Sequence, residues 1–206
     1  MNRDRTNATR KTGIIGTVLA ASLALASSLA SSNDENLLPN PSFDTDISGW
    51  SINTFVTEPN ARWSDDDASG DAASGSAEVD FIGIGNNATQ TGLFVCLPSA
   101  PGREYRFGGA GKLKQETEGA IASIFLSPND DEGCNNPVGQ STLSYWSTDW
   151  EVKESTYITP EGTTHIRFMI GTGKWQGFDE TLGSRFDDLF LIEVIEDIVF
   201  EDRFQD

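Results

Sequence analysis

From residue 36 onward, apolar and polar positions alternate in short bursts separated by turn-forming clusters. The clearest case is HIRFMI at 165–170, where Ile166, Phe168 and Ile170 fall on one face and His165, Arg167 and Met169 on the other. Tyr105 and Phe107 alternate with Glu104 and Arg106 in the same way. Runs rich in β-branched and aromatic residues recur at 50–57, 76–83, 91–97, 104–113, 120–127, 141–147, 151–159, 165–171 and 184–194, and these predict strands. Clusters of Gly, Pro, Asn and Asp between them, such as 101–102, 128–133 and 160–162, predict the turns. No segment of 12 or more residues carries a 3.6-residue apolar period, so no helix is expected. Eight to ten strands at this spacing predict an all-β fold, an antiparallel two-sheet β-sandwich of jelly-roll type.

The first 30 residues read differently. MNRDRTNATRK carries Arg3, Arg5, Arg10 and Lys11 against Asp4, and the uncharged run GIIGTVLAASLALASSLA follows, ending in small residues. A basic start, an apolar middle and a small-residue exit predict a secretory signal peptide over 1–30, cleaved after Ala30 or Ala26, and hence a secreted protein, extracellular or periplasmic. The run is rich in Ala, Ser and Gly, which disfavours the alternative of a retained anchor. The expected organisation is therefore a signal peptide at 1–30, one β-domain at 31–195, and an acidic, aromatic tail, EDIVFEDRFQD, at 196–206.

Charge narrows the partners. Removing 1–30 takes away four of 14 basic residues and one of 32 acidic ones, leaving a net charge of −21. That field repels nucleic acid and anionic membrane, and neither nucleic acid nor membrane insertion is expected. The two cysteines of an exported chain, Cys96 and Cys134, predict one disulfide, with two free thiols or a metal pair as the weaker alternatives.

Catalytic patterns are sparse. The single histidine, His165, opens a strand, and there is no Gly-x-Ser-x-Gly elbow, which leaves little for nucleophilic or zinc chemistry. Gly83 to Ala88 formally matches a dinucleotide fingerprint, but a strand-like run follows it where a phosphate cradle needs a helix. Asp65 to Asp71 mimics half of an EF-hand loop, yet its twelfth position is Ser76, and it is read as a solvated turn. Among the tryptophans, Trp63, Trp146 and Trp175 stand among polar residues or glycines. They are the candidates for stacking on sugar rings, whose apolar faces and polar edges suit an aromatic platform.

The order of motifs adds a resemblance. NLLPNPSFDTDISGW at 36–50, SGSAEV at 74–79, PGREYRFGGAGK at 101–112, STDWEVKESTYITPEGTTHIRFMI at 147–170 and RFDDLFLIEV at 185–194 occur in sequence. Together they resemble secreted carbohydrate-binding modules of the family four and nine type. The resemblance implies a galactose-binding-like jelly roll that binds a polysaccharide or glycan without catalysis, as a monomer. It implies a structural calcium held by Asp44 with Asp187 or Asp188, although Asp stands at 44 where Glu is commoner. It also implies a disulfide between Cys96 and Cys134, and core positions for Trp50 and Trp150. The alternatives are a structural or adhesive surface protein that keeps the fold without sugar binding, and an enzyme acting on polysaccharide.

Overall fold

The computed structural model describes residues 35–53, 60–82, 89–174 and 181–195. The expected signal peptide at 1–30, Gly83 to Ala88, Trp175 and the expected tail at 196–206 lie outside these residues. Ten strands are formed: β1 (Ser51–Asn53), β2 (Asn60–Ser64), β3 (Ser76–Ile82), β4 (Thr89–Pro98), β5 (Glu104–Leu113), β6 (Ala120–Asn129), β7 (Ser141–Tyr145), β8 (Glu151–Ile158), β9 (His165–Lys174) and β10 (Thr181–Val194). They pair antiparallel into two five-stranded sheets, ordered β1-β4-β9-β6-β7 and β2-β3-β10-β5-β8. The expected two-sheet sandwich is what forms. Only β2–β3 and β6–β7 are neighbours in both chain and sheet, and every other connection crosses between the sheets. Among the described residues no helix is long and apolar enough to cross a membrane.

Alternation builds the core. Val79, Phe81, Phe107, Phe186 and Leu191 of one sheet meet Leu93, Ile124, Leu126, Phe168 and Ile170 of the other, all fully buried. Area removed from water at about 25 cal/mol per Å² makes this layer the main source of stability. Tyr145 enters the same layer, its ring edge-on to Phe186 and its hydroxyl donating to the Gly109 carbonyl at 2.8 Å. Burial raises the Tyr145 pKa, with the charge of Glu151 adding to it, so the phenol stays a donor.

The opening segment folds back on this core. Phe43 is buried although its φ is +47°, a left-handed conformation that a bulky residue rarely takes. Trp50 packs against Phe43 and Phe168 and donates its indole N–H to the Pro39 carbonyl at 2.9 Å. The side chain of Asn36 ties the segment to β10 through Leu189 O and Leu191 N. Trp150 departs from the core position expected for it. It precedes β8, an edge strand, and lies half-buried with Lys112 Nζ 4.7 Å from its ring centroid.

Charge is sorted between the sheets. The strands β1, β4, β6, β7 and β9 contain no Asp or Glu. The outer face of the other sheet carries a network instead. Glu78, 3 % exposed, accepts from Arg62, from Lys114 at 2.7 Å and from Arg185 at 2.7 Å. Asp80 shares Arg62 and Lys114 at 2.8 and 2.9 Å, and Asp66 holds Lys112 at 2.6 Å and Arg185.

Candidate functional site

The alternation that buries Leu93, Ile124 and Phe168 turns Phe94, Phe125 and Met169 to the outside of the acid-free sheet. Register sets them side by side, with Phe94 opposite Met169 and Met169 opposite Phe125. All three are half-buried and form an apolar floor across β4, β9 and β6. The next row is small: Gly92, Gly171, Ser123 and Ser144 follow one another across four strands. A Cβ on Gly92 would lie 1.8 Å from the Ile170 carbonyl oxygen, so that row needs a glycine there. Gly92, Gly171 and Ser123 are themselves buried, so the trough open to a ligand is the aromatic row together with the next row on its other side, Cys96, Arg167 and Ser127. This half-buried surface suits a ligand with apolar faces.

The trough has a wall. The 130–140 loop joins β6 to β7, and its Cys134 is bonded to Cys96 of β4, with Cα atoms 6.0 Å apart. β9 lies between β6 and β4 in the sheet, so the loop crosses over β9 as a strap. The strap is internally braced. Asp131 accepts from the backbone N–H of Asn135 and Asn136, both at 2.9 Å, and from Gly133 at 3.2 Å. The bond from Asn136 leads in holding the Asp131 carboxyl below its usual range. Cys134 takes a left-handed φ of +52° to aim its sulfur at β4.

Between strap and sheet lies a hollow of about 240 Å³ lined by residues that include Phe125, Arg167 and Met169 below and Asn135 and Gln140 above. The Arg167 guanidinium lies over the Phe94 ring, 4.1 Å from its centroid. Burial lowers the Arg167 pKa, but an arginine stays charged at any ordinary pH.

Of the tryptophans expected to bind sugar, the two among the described residues, Trp63 and Trp146, are not brought together. Trp63 lies on β2, at the edge of one sheet, and donates its indole N–H to the Phe43 carbonyl at 2.7 Å. Its ring covers Gly75, where a Cβ would lie 2.4 Å from Trp63 Nε1. Trp146 follows β7, at the far edge of the other sheet, and is 54 % exposed. Tyr145 beside it points inward, so alternation sends Trp146 outward. Trp175 lies outside the described residues. Sequence reasoning missed Phe94, Phe125 and Arg167 as site residues, although it had placed Arg167 and Met169 on the face of β9 away from the core.

The acidic candidates do gather. A bulge in β10 after Asp187 sets Asp188 in a left-handed conformation, φ +47°. Asp187, fully buried, accepts from Ala68 N at 2.9 Å and Asp188 N at 2.7 Å. Burial pushes its carboxyl up to about 7, and the charges of Asp188 and Asp67 push the same way. Burial also raises Asp188, with Asp67 and Asp44 adding to it. Asp67 is opposed by some burial yet held down to about 2 by hydrogen bonds, first from Ser69 and the Asp71 N–H. Asp44 accepts from Ser42 Oγ at 2.9 Å. Among the described residues no Lys or Arg pairs with Asp44, Asp67, Asp187 or Asp188. Nor, among them, are three or more His, Cys, Asp or Glu side chains arranged to hold a metal ion.

No protein-family model matches this sequence, and no curated protein matches it. Solved structures do. A family 16 carbohydrate-binding module superimposes with a TM-score of 0.55 at 19 % identity, covering 77 % of this chain and all of that one. A CBM4 carbohydrate-binding module gives 0.52 at 14 % identity, covering 76 % of this chain and 99 % of that one. The enzymatically active domain of tailspike protein 4 from bacteriophage CBA120 gives 0.56 at 15 % identity over 77 % of this chain, which spans only 21 % of that longer chain. At these identities the likeness is one of fold: this chain has the β-sandwich of carbohydrate-binding modules.

Proposed function

We propose that this protein is a secreted, non-catalytic module that binds a glycan along the trough on the outer face of the β1-β4-β9-β6-β7 sheet. The observation that carries the reading is the half-buried row Phe94, Met169 and Phe125, left outside the core and walled by a disulfide-tied strap. Sugar rings stack their C–H faces on such a floor, and their hydroxyls reach Ser127 and Gln140 at its margins. The five strands of this sheet supply no carboxylate pair for acid–base hydrolysis, which supports binding over cleavage. Trp146 stands exposed at the β7 edge of the same sheet, two rows from the aromatic floor, where a longer glycan could meet it.

A structural calcium accompanies this reading. What supports it is a buried carboxylate without a basic partner, with Asp188, Asp67 and Asp44 near enough to act on it or on each other by charge. As they stand these side chains are not arranged around a metal, and a hard dication would have to draw them together. Asp44, Asp187 and Asp188 would supply its charge, and further oxygens must come from backbone or hydroxyl groups.

The test is affinity electrophoresis and titration against soluble polysaccharides. Phe94→Ala and Phe125→Ala should each weaken binding about tenfold or more while Trp63→Ala leaves it unchanged. Binding that survives both phenylalanine changes would move the site off this face. A blank across neutral and acidic glycans would favour the structural or adhesive alternative.

A further inference from the structure

The described arginines divide into two kinds. Arg62, Arg103, Arg106 and Arg185 each form an ion pair with Asp or Glu. Arg167 forms none, and among the described residues its guanidinium has no hydrogen-bond acceptor, with Nε buried. A half-buried cation with a buried, unpartnered Nε–H and no carboxylate beside it is costly, and a chain with 32 acidic residues had ample means to pair it. Instead its two register neighbours are Cys96 and Ser127, and the five strands of its sheet carry no carboxylate at all. The strap above does hold acids, but Asp131 is spent on the strap's own amides and Asp130 on Asn136, and the exposed Glu132 forms no ion pair with Arg167.

The hollow beside Arg167 has unmet acceptor capacity too. Asn129, 1 % exposed, lines it with Nδ2 donating to Ser127 O at 2.6 Å and with Oδ1 unpartnered. At about 240 Å³ the hollow is smaller than a drug-sized pocket, and it has room for one sugar unit rather than a length of chain.

We propose that this hollow is a subsite for a single uronic acid residue of the bound glycan, its carboxylate paired with the Arg167 guanidinium. The Phe94 ring under the guanidinium, 4.1 Å from it, restrains the cation at the hollow, and a guanidinium can give a carboxylate two parallel N–H···O bonds. Hydroxyls of a neutral sugar could accept the same hydrogen bonds but leave the charge unpaired. The chain's net charge of −18 repels a dense polyanion, so the ligand is a mainly neutral glycan with an isolated acidic residue, a branch or an end, and not a polyuronate.

This inference rests on the glycan-binding reading, and the test separates the two. The full protein is titrated with matched oligosaccharide pairs, one bearing a single glucuronate or galacturonate and its counterpart with the carboxyl reduced to the alcohol. The acidic member should bind about tenfold or more tightly, and Arg167→Gln should bring the pair to near equality by weakening the acidic member alone. Gln140→Glu places a carboxylate in the lining of the hollow without removing the arginine, and should erase the acidic preference even if Arg167→Gln does not fold. Equal binding of both members to the native protein, or an equal loss of both in Arg167→Gln, overturns the uronate subsite and leaves glycan binding intact. Failure of every pair to bind overturns both.

Discussion

Cys96 and Cys134 join β4 to a loop that leaves β6, across the intervening strand β9 of the same sheet. The bond therefore does more than close a chain segment, because it holds the strap over the trough and shapes the hollow beside Arg167. The 38-residue separation gives a loop-closure stabilisation of about 4 kcal/mol, an upper figure for a loop already braced by Asp131. Reduction, or Cys96→Ser with Cys134→Ser, should lower the urea midpoint and weaken the acidic-glycan preference together. Thiol labelling of the denatured, unreduced protein should find neither cysteine. A lowered midpoint with the preference unchanged would mean that the strap does not shape the subsite.

Trp63 and Trp146 should separate by what each change disturbs. Trp63→Ala removes a hydrogen bond to the Phe43 carbonyl and the indole lying over Gly75, and should cost about 1–3 kcal/mol of stability without altering glycan affinity. Trp146→Ala, at a side chain 54 % exposed, should leave the melting temperature nearly unchanged and weaken binding of longer oligosaccharides only. Chemical denaturation and titration of both variants check the pair, and the reverse pattern would return Trp63 to the list of ligand contacts.

How much of this was legible in the sequence differs from residue to residue. The period-2 pattern of HIRFMI placed Arg167 outward correctly, because alternation is a local property of the backbone. Its lack of an ion pair is not local, since it depends on which strands flank β9 and on what those strands omit. Asn60–Ser64, NARWS, was not recognised as a strand, because an edge position pairing only with β3 needs little apolar content. Trp63 looked exposed from its polar neighbours, and only the fold-back of the opening segment brings the Phe43 carbonyl to its indole N–H. Trp150 shows the converse, an aromatic expected inside that the edge strand leaves half-buried on the outer face.

The Glu78 network should give the protein a distinct acid limb. Burial alone would raise the Glu78 carboxyl, but Lys114 and Arg185 bring it below its usual value. A depressed folded value means that the stabilisation is full above the ordinary carboxylate range and is lost as the pH falls through the depressed one. Glu78→Gln should cost about 1–3 kcal/mol at neutral pH, less than a fully buried pair because Arg62, Lys114 and Arg185 keep 52, 27 and 24 % exposure. The loss should shrink as the pH is lowered toward 3, where the native carboxylate is itself being neutralised. Melting temperatures of both proteins from pH 3 to pH 7.5 check this, and a gap that stays constant with pH would show that the cost is one of packing.

Calcium should act through Asp187. At neutral pH this fully buried carboxylate has no basic partner among the described residues and is pushed up to about 7, so ionising it opposes folding unless a cation is supplied. A chelator should therefore lower the melting temperature at pH 7.5 and added calcium should restore it, with about 2.7 kcal/mol gained at a free concentration a hundred times the dissociation constant. Asp187→Asn removes the charge that the ion would balance. This variant should lose its response to calcium, and its melting temperature should be the same in chelator and in calcium. The amide relieves the buried charge, but its single oxygen leaves the N–H of Ala68 or Asp188 without an acceptor. Calcium binding measured directly, by titration or by equilibrium dialysis, should fall in the same variant. A native protein whose melting temperature ignores both chelator and calcium would leave Asp44, Asp187 and Asp188 as a metal-free turn.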